Sequence, residues 1–246
     1  MVDLRIKICG ITQPEQAIAI ANLRASSEPD GDRPGWDHRV TALGFICVEA
    51  SPRYIEPQAI GTIVEGLRTH TVNFPQRIGV FAQASLAQIQ TTVEQGQLSG
   101  VQLHGDESPE TCAQVRALLI QMGRPEIELI KAVRVRSPQD LDTAGRFASL
   151  VDTLLLDAYH PHILGGTGHS LDWAMLDRFQ PGCPWLLAGG LKPDNIEAAL
   201  ARVAPAGIDL SSGVERSPGD KDIQAVGRLL NNLLNNLPKP VSRIAD

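Results

Sequence analysis

The chain has 246 residues, of which 43% are hydrophobic and 20% charged, and its formal net charge is −6. This composition is typical of a folded globular protein, and the acidic balance argues against a nucleic-acid partner. Because the four cysteines are widely spaced and no apolar run approaches the roughly 18 residues of a membrane helix, we expect a cytoplasmic protein with no disulfide framework, no zinc-binding CxxC pair and no membrane partner.

Short apolar runs rich in β-branched residues alternate along the chain with segments of helical periodicity. The predicted strands are Leu4–Cys9, Thr41–Val48, Gln76–Phe81, Gly100–His104, Glu128–Val133, Thr153–Asp157, Pro184–Ala188 and Gly207–Leu210. The clearest helices begin near Ser108-Pro109 and at the final stripe of Ile223, Val226, Leu229, Leu230, Leu233 and Leu234. Because parallel strands need helical crossovers, eight such units predict a single α/β domain, a (β/α)8 TIM barrel, with a doubly wound open sheet as the alternative.

Two segments interrupt this alternation within the expected single domain of residues 1–246. Residues 26–39 are rich in Pro, Gly and Asp and connect the first helix to the second strand. Helix-to-strand connections lie on the barrel face opposite the chemistry, so this segment is predicted to be a surface insertion. Residues 237–246 contain two prolines and are predicted to form a C-terminal tail.

Polar and glycine residues follow several predicted strands at the point where each strand ends. Cys9 ends the first strand, Arg53 follows the second, His104 ends the fourth and Asp157 ends the sixth. A single cysteine is more often a small buried side chain than a catalytic one. However, the carboxyl ends of all barrel strands meet at one rim, so we expect these groups to converge on one pocket.

Glycine pairs follow the last two strands. Gly189 and Gly190 come after the seventh strand, and Ser211, Ser212 and Gly213 come after the eighth. Glycine lets backbone N–H groups approach an anion closely, and barrel phosphate sites are often formed by these two loops. The alternative is that the glycines only make tight turns. Their coincidence at these two strands favours a phosphate-binding site.

The alternation of side chains along a strand places Lys7 and Cys9 on one face of the first strand, and Asp209 and Ser211 on one face of the last. If Cys9 faces the barrel interior, Lys7 does so too and needs a partner. Asp209 is the natural candidate, and we interpret this buried pair as structural.

Taken in order, the strand ends resemble those of the phosphoribosylanthranilate isomerases of tryptophan biosynthesis. The resemblance covers nearly the whole chain and is carried by Lys7-Ile8-Cys9-Gly10-Ile11-Thr12, Ser51-Pro52-Arg53-Tyr54, Gln102-Leu103-His104-Gly105, Leu155-Leu156-Asp157, Gly165-Gly166-Thr167-Gly168, Ala188-Gly189-Gly190-Leu191 and Asp209-Leu210-Ser211-Ser212-Gly213-Val214-Glu215. It implies a cofactor-free (β/α)8 isomerase, expected to be a monomer or homodimer, with a phosphorylated small-molecule substrate. The implied reaction is the Amadori rearrangement of N-(5-phosphoribosyl)anthranilate to 1-(2-carboxyphenylamino)-1-deoxyribulose 5-phosphate.

The resemblance also implies roles for matching residues. Cys9 matches the general base and Asp157 the general acid, while Arg53 matches the residue that holds the anthranilate carboxylate. A carboxyl group is an acid at neutral pH only if burial raises its pKa, and a thiol reaches the thiolate more easily beside positive charge. The expected substrate-binding set is Arg53, His104, Gly189, Gly190, Ser211, Ser212 and Gly213. The chain departs from the family pattern at Cys47–Ala50 and Ala82–Ala84.

Other functions stay open. His160, His162 and His169 crowd one loop, but neither an HxxxH helix nor a carboxylate cluster accompanies them, so we expect no metal.

A non-catalytic phosphate-sugar-binding barrel would not need the acid, the base and the arginine together. A sugar-phosphate epimerase would require metal ligands or paired acidic residues at strand ends. Indole-glycerol-phosphate synthase needs a catalytic lysine and glutamate, and it is not excluded because Lys7 and Lys131 both lie in strands.

Overall fold

Eight parallel strands close into a barrel in the computed structural model, which describes residues 4–26, 37–157, 173–176 and 179–236. Each strand pairs with the next along the chain, and the last pairs with the first. The barrel strands are β1 (Arg5–Cys9), β2 (Ala42–Ile46), β3 (Gln76–Phe81), β4 (Gly100–Leu103), β5 (Glu128–Arg134), β6 (Thr153–Asp157), β7 (Trp185–Ala188) and β8 (Gly207–Leu210). The predicted barrel is confirmed, and the open sheet is excluded.

Helices pack around the outside of the barrel. Four of them begin with proline, whose fixed φ suits the first helical turn and whose missing N–H is not needed there. Ser108 caps the fourth helix by accepting from the Thr111 amide, as the sequence predicts. The helices are α1 (Pro14–Asn22), α2 (Pro57–His70), α3 (Leu86–Gln95), α4 (Pro109–Gln121), α5 (Pro138–Gly145), α6 (Ile196–Leu200) and α7 (Ile223–Asn236), with 3-10 turns at Trp173–Leu176 and Ser212–Val214.

Two separate apolar clusters follow from the two faces of the strands. The larger one lies between the barrel and its helices, and it includes the predicted α7 stripe at Val226, Leu229, Leu230 and Leu233. The smaller cluster fills the barrel interior and consists of Ala42, Ile78, Ile130, Ala132, Leu155, Leu186 and Ala188. Side chains on the outward face of the strands therefore pack against the helices, and side chains on the inward face form the barrel interior and the site.

Charged side chains complete the lower part of the barrel interior. Arg5 crosses the barrel from β1 and donates two hydrogen bonds of 2.5 and 2.6 Å to Glu128 on β5. Thr153 donates a third bond to the same carboxylate. Because these residues lie at the amino-terminal ends of their strands, they close that end of the interior, and the open end is the carboxyl-terminal face.

The segment predicted to be a surface insertion is flanked by a short ribbon that the sequence does not predict. Arg24–Ser26 pairs with Asp37–Arg39 as a two-stranded antiparallel ribbon, so both ends of the segment are ordered by backbone pairing. Residues 27–36 lie outside the described part of the chain, as does the predicted tail at 237–246. No helix in the described ranges is long and apolar enough to cross a membrane.

Candidate active site

Cys9 lies at the carboxyl end of β1, is 6% exposed and shares the inward face of that strand with Lys7. The next residue, Gly10, has a φ of 82°, and its amide donates to the Gly44 carbonyl at 2.9 Å. A Cβ at Gly10 would lie 2.8 Å from Arg53 Cδ and 3.3 Å from Lys221 Nζ. Gly10 is therefore required both by its backbone conformation and by the side chains that crowd it.

Lys7 is fully buried below Cys9, and its ammonium lies 3.0 Å from each carboxylate oxygen of Asp209. The predicted Lys7–Asp209 pair is confirmed. A Cβ on Gly44 would lie 2.7 Å from the Cys9 sulfur and 3.0 Å from Lys7 Nζ. The thiol and the ammonium therefore occupy the same small space beside β2, which only glycine leaves open.

Burial raises the pKa of the Cys9 thiol above its usual value, although Lys7 and Lys221 act to lower it. The nearby Asp209 carboxylate adds to the increase. Nearby positive charge favours the thiolate, and the structure supplies it from Lys7, which the sequence places on the same strand face, and from Lys221. Desolvation outweighs them in the free protein, so the thiol form predominates at neutral pH.

Asp157 ends β6 on the inward face, in register with Arg134 and Ala188 of the neighbouring strands. Its side chain is 21% exposed, and its Oδ2 lies 3.2 Å from His104 Nε2. Cys9 and Asp157 thus both point inward at the carboxyl-terminal face, from strands separated by β7 and β8. The structure places the two residues that the resemblance assigns to base and acid on the inward side of the same barrel face.

His104 links Asp157 to Gln102, whose amide nitrogen lies 2.8 Å from His104 Nδ1. In this arrangement the Gln102 amide donates to Nδ1, so Nε2 carries the ring proton and donates to Asp157 Oδ2. The Gln102 oxygen has no partner among the described residues. The three side chains therefore form one hydrogen-bonded chain that fixes the position of the Asp157 carboxyl group.

Arg53 lies in the loop after β2 and pairs side-on with Glu215, which follows β8. Its Nε lies 3.0 Å from both carboxylate oxygens, and its Nη2 lies 2.7 Å from Oε2. Nη1 makes no hydrogen bond to any described residue, so one edge of the guanidinium is still available to a ligand. The sequence predicts the position of Arg53 but not this carboxylate partner.

Lys221 is a site residue that sequence reasoning missed. It is fully buried, and its Nζ donates to the Cys9 carbonyl, to Glu215 Oε1 at 2.6 Å and to the Ser211 carbonyl at 3.4 Å. Burial disfavours a charged Glu215, but its bonds to Arg53 and Lys221 outweigh that effect and lower the pKa of the carboxyl. In the sequence, Glu215 is indicated only by its place in the last motif of the resemblance, and no motif includes Lys221.

The two glycine loops contact each other. Gly189 and Gly190 have φ angles of 93° and 64°, and the Gly190 N–H makes no hydrogen bond within the described residues. A Cβ on Gly213 would overlap the Leu191 carbonyl oxygen and lie 3.2 Å from the Lys192 Cα. The loops after β7 and β8 therefore meet where the sequence predicts a phosphate site.

Lys131 cannot act as a catalytic lysine in this arrangement. It points away from the barrel interior, and its ammonium lies 2.8 Å from Glu107 and 2.7 Å from the Gly105 carbonyl. Lys7 is likewise bound to Asp209. The contacts of both strand lysines therefore argue against the synthase alternative. A cavity of about 410 Å³ beside Lys131 extends from His104 to Arg134 at the carboxyl-terminal face.

The histidines considered for metal binding, His160, His162 and His169, lie outside the described residues. Within the described residues, no three His, Cys, Asp or Glu side chains form a group that could hold a metal ion. The expectation that no metal is bound remains a prediction.

A closed barrel of eight parallel strands, with a thiol, a carboxyl group and a guanidinium at its carboxyl-terminal face, has the architecture of a (β/α)8-barrel enzyme. A family model for N-(5'-phosphoribosyl)anthranilate (PRA) isomerase matches residues 6–232. The chain belongs to this family of isomerases.

Relatives agree with this assignment. N-(5'-phosphoribosyl)anthranilate isomerase of Acaryochloris marina is 53% identical over 232 residues, covering 94% of this chain and 98% of its own. Mutually generated monomers of the dimeric Thermotoga maritima enzyme align with a TM-score of 0.70 at 30% identity, over 95% of this chain and 100% of theirs. A family structure in complex with reduced 1-(o-carboxyphenylamino)-1-deoxyribulose 5-phosphate has a TM-score of 0.70 at 29% identity, over 93% and 97%.

Proposed function

We propose that this chain performs the Amadori rearrangement of N-(5'-phosphoribosyl)anthranilate to 1-(2-carboxyphenylamino)-1-deoxyribulose 5-phosphate, a step of tryptophan biosynthesis, with Asp157 as general acid and Cys9 as general base. Family membership supports the reaction. The roles are those that the resemblance implies, and the inward placement of both side chains at one barrel face supports them. Purified protein that left the fluorescence of the anthranilate-ribose substrate unchanged would contradict the proposal.

The two residues divide the chemistry into two proton transfers. Asp157 gives a proton to the ribose ring oxygen as its bond to C1 breaks, and the nitrogen lone pair forms a C1=N iminium. The Cys9 thiolate then removes the proton on C2; the electrons of that C–H bond form the C1=C2 bond of an enolamine, and the C1=N π electrons return to nitrogen as its lone pair. Protonation at C1 and loss of the C2 hydroxyl proton give the ketone. Each transfer needs its group within hydrogen-bond reach of the substrate atom.

The raised pKa of Cys9 fits this order of events. In the free site the buried thiol is mainly protonated, which limits reaction with other electrophiles. Ring opening places a cationic iminium beside C2, and a nearby positive charge favours the thiolate. Lys7 and Lys221 add to that effect. The base thus becomes available chiefly when the iminium has formed.

Two anchors hold the substrate between the acid and the base. The Arg53 guanidinium, with Nη1 available, suits the planar anthranilate carboxylate. The touching loops at Gly190 and Gly213 suit the phosphate at the other end. Because both ends are fixed, the reacting carbons are held in place, and orientation of this kind lowers the barrier.

Arg53→Ala is expected to raise KM more than it lowers kcat. The loss of a charged hydrogen bond costs about 1.5–3 kcal/mol, and this corresponds to a roughly 10- to 150-fold increase in KM. Steady-state kinetics measures the effect. Arg68→Ala is a suitable control because Arg68 is an exposed arginine paired with Glu65 on α2. If KM stayed unchanged, Arg53 would have no place in the binding site.

Inorganic phosphate or sulfate soaked into crystals should bind about 3 Å from the Gly190 and Gly213 amide nitrogens, the usual length of such a hydrogen bond. Gly213→Ala should abolish competitive inhibition by inorganic phosphate, because the new Cβ would overlap the Leu191 carbonyl. Gly227→Ala is the matched control, since a Cβ there meets nothing within 4 Å. An anion bound elsewhere, with none at the glycine loops, would refute this assignment.

The proposal also covers the domain organisation, the cellular compartment and the oligomeric state. The chain is one barrel domain, as the matched range of residues 6–232 supports. It works in the cytoplasm as a monomer or homodimer on a phosphorylated small molecule. All four cysteines are free thiols, which is usual in a reducing compartment. Size-exclusion chromatography with light scattering tests the oligomeric state.

A further inference from the structure

The short ribbon after β8 carries a buried lysine into the active site. Glu215–Ser217 pairs antiparallel with Asp220–Lys221, and the ribbon packs against the first turn of α1. Gln16 accepts from the Lys221 amide at 2.9 Å and donates to Asp220 at 2.6 Å. Thr12 donates to the Gly219 carbonyl at 2.7 Å. These bonds fix the backbone of Lys221 relative to β1 and α1.

The Lys221 ammonium lies between two functional groups that are far apart in the sequence. On one side it donates to the carbonyl of Cys9, and on the other it donates to Glu215. Its side chain is fully buried, so water does not compete for these acceptors. A third acceptor, the Ser211 carbonyl at 3.4 Å, belongs to the predicted phosphate loop.

Glu215 connects Lys221 to Arg53 through hydrogen bonds to both side chains. Its carboxylate is 3% exposed and accepts from Lys221, from the Arg53 guanidinium and from the Gly219 amide at 3.2 Å. Charge-assisted bonds of this kind are directional, and a side-on pair fixes the plane of the guanidinium. A carboxylate held on two sides can orient Arg53 toward a ligand, whereas a mobile one cannot.

We propose that Lys221 is a positioning residue that couples the general base to the carboxylate anchor. It holds the backbone of Cys9 directly and holds Arg53 through Glu215. This inference rests on the proposed roles of Cys9 and Arg53. Lys221 does not touch the reacting atoms, and its effect is to keep the base and the substrate carboxylate at a fixed separation.

Several charged or titratable groups act on the Cys9 thiol, and they come from β1, β8, the ribbon and the loop after β2. They are Lys7, Asp209, Lys221, Arg53 and Cys47. The Lys221 ammonium favours the Cys9 thiolate. Without it, Lys7 and Arg53 are the remaining cations that favour the thiolate, and the Asp209 carboxylate still disfavours it. The thiolate then forms at higher pH than in the unmodified protein.

The test compares Lys221→Met with unmodified protein in steady-state kinetics over a range of pH. KM is expected to rise about tenfold or more, as for a weakened charged hydrogen bond, and the ascending limb of kcat/KM is expected to shift to higher pH. Competitive inhibition by anthranilate should weaken by a similar factor. Inhibition by inorganic phosphate should weaken much less, because Lys221 makes only one long contact to the loop after β8, at 3.4 Å to the Ser211 carbonyl, and none to the loop at Gly190.

Arg5→Met is the matched control because it also breaks a mostly buried ion pair, at the opposite end of the barrel. It should lower stability without moving KM, the anthranilate inhibition constant or the pH profile. If Lys221→Met does not fold, Glu215→Gln decides the question, with the same rise in KM and in the anthranilate constant expected.

The inference and the proposed function fail in distinguishable ways. If unmodified protein isomerises the substrate while Lys221→Met and Glu215→Gln keep normal KM and anthranilate inhibition, the positioning role is overturned and the function stands. Equal weakening of anthranilate and phosphate inhibition would indicate a general structural role and would also overturn it. Unmodified protein without isomerase activity would instead refute the proposed function.

Discussion

Cys9→Ala and Asp157→Asn should each lower turnover by at least about a hundredfold, because a positioned general base or acid typically contributes 10²–10⁴-fold. The barrel should remain folded, since Cys9 is small and Asp157 is partly exposed at a strand end. Loss of substrate fluorescence gives kcat, and urea unfolding checks the fold.

Cys112→Ala provides the matched control for the first variant. Cys112 is also a buried thiol, but it lies on α4 against the outer apolar cluster. Its replacement should reduce stability slightly and leave kcat close to that of unmodified protein. Near-normal turnover in Cys9→Ala or Asp157→Asn would remove that residue from its assigned role.

The state of the Cys9 thiol sets the pH dependence of the same reaction. A pKa raised by burial means that the thiolate fraction in the free protein is small at neutral pH and grows as the pH rises. Because kcat/KM reports groups in the free enzyme, it should continue to increase above neutral pH. A plateau reached below neutral pH would show that the pKa of the base lies below that of an ordinary thiol, so that Cys9 is already a thiolate in the free protein or the base is another group.

The strands of this barrel were predictable because parallel strands are buried on both faces. Such strands appear in the sequence as continuous apolar runs, and Gln76–Phe81, Thr153–Asp157 and Gly207–Leu210 match the observed strands at both ends. The alternation of side chains also predicted that Lys7 and Asp209 would meet inside. This rule needs only the fold and the register, and both follow from the pattern.

The Lys221–Glu215–Arg53 cluster could not be predicted in the same way. Arg53 and Glu215 are 162 residues apart, and they meet because two long side chains extend from loops whose shape the apolar pattern does not determine. Lys221 is likewise an ordinary polar residue in the sequence. It is buried because the ribbon packs against α1, and no periodic pattern in the sequence predicts that contact.

The pKa of Cys9 could not be predicted from the sequence for a different reason. The sequence identified the neighbouring positive charge but not the depth of the thiol. Burial and charge act in opposite directions, so the outcome depends on their magnitudes and not on which residues are present. The short ribbon at Arg24–Ser26 was missed for a related reason, because its mixed polar sequence lacks the alternation that marks a strand.

Lys7→Met should destabilise the protein by about 3–5 kcal/mol, because it leaves the buried Asp209 carboxylate without its cation. Asp209 is 8% exposed, so solvent compensates little of the lost interaction. Urea unfolding measures the change.

A second variant separates the cost of an unpaired charge from the loss of the lysine side chain itself. Lys7→Met combined with Asp209→Leu removes both charges, and replacing a buried ion pair by apolar side chains of similar volume is often close to neutral. The double variant should therefore be more stable than Lys7→Met alone. Arg68→Ala, which breaks an exposed pair on α2, should change stability by less than about 1 kcal/mol. A loss that small in Lys7→Met, or a double variant less stable than the single, would show that the Lys7–Asp209 pair is not what stabilises the centre of the barrel.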